Sequence, residues 1–262
     1  MHVTVLMPVY NEAGVVQTAV ESILRQTYKD WDLLIIDDGS TDGTSTLVQS
    51  IAEKDPRITV IRNAANRGIS AALNQGWKQA RGHLIARMDA DDVSLPQRLE
   101  RQVLFMESHP EVAVLGTGVQ LVDGQGKILG VALPPEQHQE LVHSMYRRTP
   151  FYHSSVMVRQ SFYEAMNGYD ERWRRSEDTD LWLRSYGHFR FHNLQEPLIR
   201  YRFSGRQTLR EIAERTLMLA YAAYREGRLL TRGWYAVRFV ALSLVLKTGL
   251  WKMRAHRLVL AK

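Results

Sequence analysis

Between residues 3 and 89 short apolar runs alternate with segments whose apolar residues recur at helical spacing, and this alternation restricts the chain more than any other feature. The runs are VTVLMPVY (3–10), the start of WDLLIIDDGSTDGT (31–44), RITVIRN (57–63) and HLIARMD (83–89). Between them, GVVQTAVESILRQT (14–27) places Val16, Val20, Ile23 and Leu24 on one helical face. STLVQSIAEK (45–54), closed by Pro56, and GISAALNQGWKQA (68–80) read as two further helices. Strand and helix in alternation predict an α/β fold around a largely parallel sheet. The runs are almost continuously apolar, as strands covered by helices on both faces must be.

In such sheets ligands bind beyond the carboxyl ends of the strands. Those ends carry Tyr10-Asn11-Glu12, Asp37-Asp38 and the carboxylates Asp89, Asp91 and Asp92 of RMDADD. Three acids in four positions raise one another's pKa and cost free energy unless a cation joins them. Mg²⁺ and Mn²⁺ take hard oxygen ligands and commonly combine one or two carboxylates with phosphates. Alternate residues of an extended segment face the same way, so Asp89 and Asp91 suit that task. A solvated turn, with Asp92 capping the next helix, is the plainer reading of the same residues. Asp38 can accept hydrogen bonds from a base or ribose, and Asp42 can cap the following helix.

Past residue 96 the regularity fades. PQRLERQVLFMESH (96–109) reads as helix, VAVLGTGVQLVD (112–123) and HSSVMVR (153–159) as strands, and FRFHNLQEPLIRYRF (189–203) as one or two strands. SEDTDLWLRSYG (176–187) starts a helix with Ser176 at the N-cap. Capping and the helix dipole account for one acid there. Glu177, Asp178 and Asp180 are more than a cap requires, and a carboxylate in a cleft can act as a general base. His153 is either a packed structural histidine or a contributor to an acceptor side.

Other chemistries lack their marks. The chain has no cysteine, no GxxxxGK[ST] loop, no GxGxxG after the first strand, no HExxH and no GxSxG elbow. No secretory signal is expected from MHVTVLMPVYNE.

The motifs PVYNE, IIDDGSTDGT, NRGISAALNQG (66–76), RMDADD and SEDTDLWLR, in this order over residues 2–204, resemble family 2 glycosyltransferases of the GT-A fold. That resemblance implies a Rossmann-like, mostly parallel sheet flanked by helices, with a C-terminal helical extension. It further implies that Val9, Tyr10 and Glu12 line a nucleotide pocket and that Asp38 bonds the base, with uracil expected. Asp89 would approach the ribose, Arg67 the nucleotide or its phosphates, and Asp91 would ligate Mg²⁺ or Mn²⁺ on the diphosphate. Asp178 would be the base of an inverting transfer from a nucleotide sugar to a saccharide or lipid-linked acceptor, in envelope polysaccharide or glycolipid synthesis. Many relatives carry a histidine shortly after the final YR. Here Ser204 stands about there, so Arg202 or Arg206 would meet the diphosphate instead.

Net charge is +6, with a pI of about 9.6. Residues 210–262 hold eleven basic and three acidic side chains, a net +8, so the rest of the chain is slightly acidic. We therefore expect a catalytic domain over 1–205 and a basic, amphipathic helical tail over 206–262. Trp234, Tyr235 and Trp251 with the surrounding bases suit a membrane interface, while the apolar run 239–246 is too short to span a bilayer. A cytoplasmic enzyme at the inner face of the plasma membrane is the corresponding expectation. Nucleotidyl transfer and a basic membrane- or nucleic-acid-binding module are the alternatives. The first lacks a phosphate loop, and the acidic strand ends oppose nucleic acid as a partner.

Overall fold

A computed structural model describes residues 1–145, 150–173 and 176–203. Among these, β1 (Val3–Val9), α1 (Val16–Leu24), β2 (Trp31–Asp37), α2 (Thr44–Ala52), β3 (Ile58–Arg62), α3 (Ile69–Gln79) and β4 (Leu84–Arg87) realise the expected alternation. β1 pairs in parallel with β2 and with β4, and β2 with β3. Successive residues of β1 serve opposite faces, as strand geometry requires. Leu6 joins a core with Leu34, Ile85, Trp77 and Trp182, whereas Val5 and Met7 join one with Leu33, Ile35, Ala86 and Met106.

The second half is assembled differently. It comprises β5 (Val93–Ser94), α4 (Arg98–Ser108), β6 (Val112–Val122), β7 (Ile128–Ala132), α5 (His138–Ser144), β8 (Met157–Arg159), α6 (Gln160–Met166), α7 (Glu177–Ser185) and β9 (Arg190–Arg202). The strand order is β3-β2-β1-β4-β8-β6-β9-β5, with β7 off this path and paired to the second half of β6. β8 runs antiparallel to both β4 and β6, β9 parallel to β6 and antiparallel to β5. The predicted strand 153–159 is in fact a 3₁₀ turn, His153–Ser155, followed by the three residues of β8. Residues 189–203 give one strand whose register against β6 shifts around Thr117 and Gly118. β5, β7, α5 and α6 have no counterpart in the sequence reading.

No helix among the described residues is long and apolar enough to cross a membrane. The expected boundary at 205/206, the basic tail, Ser204 and Arg206 lie outside the described residues.

Candidate active site

The parallel register brings the carboxyl ends of β1, β2 and β4 to one edge of the sheet. Val9, the buried last residue of β1, stands opposite Asp37, and Tyr10 beyond it is exposed. Glu12 is fixed through its main-chain N–H, which donates to Thr44 Oγ1 (2.8 Å). Its carboxyl pKa is raised by burial and then by the charges of Asp91, Asp89 and Asp42, with Arg202 opposing. Glu12 therefore faces the acidic end of β4.

Asp38 is buried, and its carboxylate is occupied by the chain. It accepts from Asn63 Nδ2 (2.9 Å), from the Arg67 N–H (3.1 and 2.9 Å to its two oxygens) and from the Gly68 N–H (2.8 Å). A carboxylate has about four acceptor sites, so reading a base through Asp38 requires sharing or displacing one of these donors. Arg67 is held to the site by its backbone, and its side chain is exposed. Asp42 accepts from Thr44 N–H (3.0 Å), Thr44 Oγ1 (2.6 Å) and Ala13 N–H (3.1 Å), which ties the turn after β2 to the loop after β1. The Thr44 hydroxyl, acting against burial, holds its pKa below the ordinary value.

At the end of β4, one carboxylate oxygen from each of Asp89, Asp91 and Asp92 lies within 4.8 Å of the others. Asp92 does not cap α4. Its Oδ1 accepts the Arg202 N–H of β9 (2.7 Å), while Oδ2 is buried without a hydrogen-bond partner. Burial, then the charges of Asp89 and Asp91, push its pKa up to about 8. Asp91 is raised by burial and by Asp89. Arg202 also donates Nε–H to the Asp91 carbonyl (3.2 Å) and Nη1 to the Gly124 carbonyl (2.8 Å), joining the acidic loop to the turn between β6 and β7.

Two arginines that the sequence reading did not single out lie beneath this loop. Arg87 is buried and ion-paired with Asp89. Burial alone would lower its pKa, and the Asp89 carboxylate more than reverses that. Arg98, wholly buried at the start of α4, donates Nη2 to the Arg87 carbonyl (2.7 Å) and Nε to Gln102 Oε1 (3.0 Å). Burial and the neighbouring Arg87 depress its pKa to about 9. Burying an Arg without a paired charge is costly, and the only signal in the sequence was the break that Arg87 makes in an apolar run.

The three acids of α7 separate by environment. Asp180 is buried and pairs with Arg184 (Nε–Oδ2 2.7 Å), whose Nη1 and Nη2 hold the Met166 and Gly168 carbonyls (3.0 and 2.9 Å). Glu177 points inward, with Oε1 3.6 Å from His153 Nδ1. Burial, then the charge of Asp178, raise its pKa to about 8. Asp178 is half-buried in the first turn and accepts the Thr179 N–H (2.7 Å). Ser176 occupies the N-cap position but makes no capping bond and has φ +60°. The expected hydroxyl cap is thus replaced by acids, which the dipole favours at a helix start.

The chain matches the model of Glycosyl transferase family 2 over residues 4–166. It is 42% identical over 204 residues to putative glycosyltransferase EpsE of Bacillus subtilis, covering 76% of this chain and 72% of that protein. It is 31% identical over 210 residues to the O-antigen biosynthesis glycosyltransferase WbnJ of Escherichia coli, covering 79% and 81%. Among solved structures, S. aureus TarS in complex with UDP superposes with a TM-score of 0.67 at 20% identity, over 85% of this chain and 65% of that one. The mannosyltransferase PcManGT of Pyrobaculum calidifontis, in complex with GDP-Man and Mn²⁺, gives 0.67 at 16% identity, over 97% and 76%. At these identities the likeness is one of fold, and the fold is the GT-A arrangement.

Proposed function

The chain belongs to glycosyltransferase family 2, and we propose that it moves a sugar from a nucleoside-diphosphate sugar, with UDP as the nucleotide, to an acceptor hydroxyl with inversion. The observation that carries this reading is the convergence of the ends of β1, β2 and β4 beside the first turn of α7. WbnJ, of O-antigen biosynthesis, and the amylovoran biosynthesis glycosyltransferase AmsE of Erwinia amylovora support an acceptor that is a growing saccharide or its lipid-linked form. A cytoplasmic site of action at the inner face of the plasma membrane, with residues 206–262 as the membrane contact, accords with such an acceptor.

In this reading Val9, Tyr10 and Glu12 line the nucleotide pocket, and Asp38 meets the base through the loop it anchors at Arg67. The Arg67 side chain lies toward the phosphates, and Asp89 faces the ribose. The clustered oxygens of Asp89, Asp91 and Asp92, one of them a buried orphan, fit a hard divalent cation such as Mg²⁺ or Mn²⁺, with Asp91 as the principal ligand. Bound there, the ion would neutralise charge on the leaving diphosphate. Arg202, tied to both Asp91 and Asp92, supplies a second positive charge at the same place. Asp178 removes the proton of the acceptor hydroxyl, whose oxygen bonds to the anomeric carbon as the carbon–oxygen bond to the diphosphate breaks on the opposite face. Glu177 is held neutral at pH 7 beside it. One base suffices for a single displacement with no covalent intermediate.

Thermal unfolding with UDP, GDP, dTDP and CDP, each with and without Mn²⁺, tests the donor assignment. UDP with Mn²⁺ should raise the melting temperature by several degrees, since about 2.7 kcal/mol is gained at a hundredfold excess over Kd. Asp91→Ala should abolish the rise. No shift with any diphosphate would remove the donor assignment.

A further inference from the structure

The turn His153–Ser155 has no role in the chemistry above, yet each of its residues grips a different element. The Ser155 hydroxyl accepts the Thr117 N–H of β6 (3.2 Å). The Ser154 hydroxyl accepts the Asp89 N–H (3.0 Å). His153 Nε2 shares a hydrogen bond with Tyr169 Oη (2.9 Å), which shares another with Tyr163 Oη (2.8 Å). His153 Nδ1 stands 3.6 Å from Glu177 Oε1, and the ring lies edge-on to Trp182, centroids 6.1 Å apart. Glu177 and Trp182 are buried residues of α7, and Glu177 immediately precedes Asp178.

Two successive residues of one short turn therefore hold the strand end that carries Asp89 and the helix that carries Asp178. Nε2 is hydrogen-bonded to Tyr169 and the ring edge packs on Trp182, which together hold the ring, while Nδ1 stands 3.6 Å from Glu177 Oε1, beyond hydrogen-bond length. A general base must lie within hydrogen-bond reach of the proton it takes, and a displacement of about 1 Å can cost roughly 10²-fold in rate. We propose that His153 is a positioning residue. Anchored by Tyr169 at Nε2, it presents Nδ1 to Glu177 and so sets the first turn of α7, with Asp178, against the Asp89–Asp91 loop. The inference rests on the reading of Asp178 as base.

The test follows UDP release from UDP-glucose, UDP-galactose and UDP-N-acetylglucosamine with Mn²⁺. It compares the native chain with His153→Ala, His153→Asn, Glu177→Ala and the double variant His153→Ala/Glu177→Ala. His153→Ala should lower kcat at least ~10-fold while the KM for donor and the UDP-induced thermal shift hold. His153→Asn, whose amide nitrogen can stand near the Nδ1 position, should recover most of that loss. The double variant should be no slower than Glu177→Ala alone. Equal losses in the Ala and Asn variants, a loss confined to KM, or single effects that multiply would each overturn the proposal. If His153→Ala does not fold, Tyr169→Phe, which removes the hydroxyl bonded to Nε2, should lower kcat with the donor KM held, and an unchanged kcat would overturn the proposal.

If the native chain releases no UDP from any of the three donors, the thermal shift with UDP alone judges the donor reading, and amide exchange without ligand decides the inference. His153→Ala should then speed exchange both at Asp180, whose N–H bonds the Ser176 carbonyl (3.1 Å), and at Asp89. His153→Asn should leave both near native. A change at only one of the two amides, or at neither, would show that the turn does not couple them.

Discussion

The strands β3, β2, β1 and β4 and the strands β8, β6, β9 and β5 form one sheet by different rules. In the first group β1, β2 and β3 are each followed directly by a helix, all pairing within the group is parallel, and the carboxyl ends of β1, β2 and β4 deliver their polar residues within a few positions. In the second group β9 pairs with β6 along most of its length and with β5 near its end, so distant stretches of sequence meet. The proposed donor-side chemistry can therefore be written in local motifs. The proposed base and the residues that orient it depend on long-range packing.

The largest expected effect sharpens this division. Asp178→Asn should lower kcat by roughly 10²–10⁴, the usual weight of a general base, and leave UDP and Mn²⁺ binding at the native level. Asp91→Ala, on the parallel side, should lose binding itself. Steady-state kinetics paired with UDP-induced thermal shifts separates the two. An Asp178→Asn enzyme that turns over at the native rate would remove the assignment of the base.

The next prediction can break the division. Trp182 is fully buried on α7 against Phe151 (ring centroids 5.0 Å), Phe191 (6.1 Å) and Phe162 (6.2 Å). It nevertheless shares one apolar cluster with Leu34 of β2 and Leu6 of β1. Trp182→Ala should cost about 3–5 kcal/mol and Leu34→Ala about 2–5 kcal/mol. If the shared cluster makes the halves one cooperative unit, calorimetry should show a single transition lowered by either change. A second transition appearing only in Trp182→Ala would show that the mixed half unfolds by itself.

The same contrast accounts for what could be read in the sequence. The ends of β1, β2 and β4 were legible because apolar runs and helical spacing are local signals, and the motifs at 8–12, 35–44 and 87–92 sit on them. β5 is two residues long and β8 three, too short for any period to register. β7 exposes Ile128, Leu129 and Val131 rather than alternating. The 3₁₀ turn at His153 interrupts what reads as a continuous strand. Nothing local in PQRLERQVLFMESH marks Arg98 as a buried guanidinium that serves the Arg87 carbonyl of β4. The saturation of Asp38 by Asn63, Arg67 and Gly68 depends on a loop 25 to 30 residues away.

A smaller effect is expected from pH. Asp92 and Glu177, one in the strand-end loop and one on α7, both have folded pKa values raised to about 8. Between about pH 4 and 8 each keeps in the folded chain a proton that it has lost in the unfolded chain. These two acids therefore take stability away as pH rises through that window, while His153, His138 and His192, whose pKa values burial lowers, return part of it as the unfolded chain loses its histidine protons. Without metal, the melting temperature should be lower at pH 8 than at pH 6, with each kcal/mol shifting it by about 2–4 °C. Glu177→Gln should flatten part of that slope. Mn²⁺ should oppose the remainder at Asp92, because carboxylate ligands must be deprotonated to bind it and metal affinity rises with pH. An equal change in melting temperature from pH 6 to 8 in the native chain and in Glu177→Gln, without metal, would contradict the burial of Glu177 as a neutral group.

The smallest effect compares helix starts. On the parallel side α2 and α3 begin from Gly43 (φ +97°) and Gly68 (φ +94°), where glycine takes the left-handed region without a Cβ penalty. On the mixed side α7 begins from Ser176 at φ +60°, a conformation that costs a residue with a side chain roughly 1–2 kcal/mol. Its hydroxyl makes no capping bond in return. Ser176→Ala should consequently change stability by less than about 0.5 kcal/mol, well under the ~1 kcal/mol of a working cap. Ser176→Gly should raise stability by up to ~1 kcal/mol through relief of the strain. Strained backbone that persists beside a reacting group is commonly part of its positioning, and Asp178 lies two residues on. If that holds here, Ser176→Gly should raise the melting temperature and lower kcat together. A rise in stability with unchanged kcat would mean that the packing of Glu177 and Trp182 alone orients the first turn of α7.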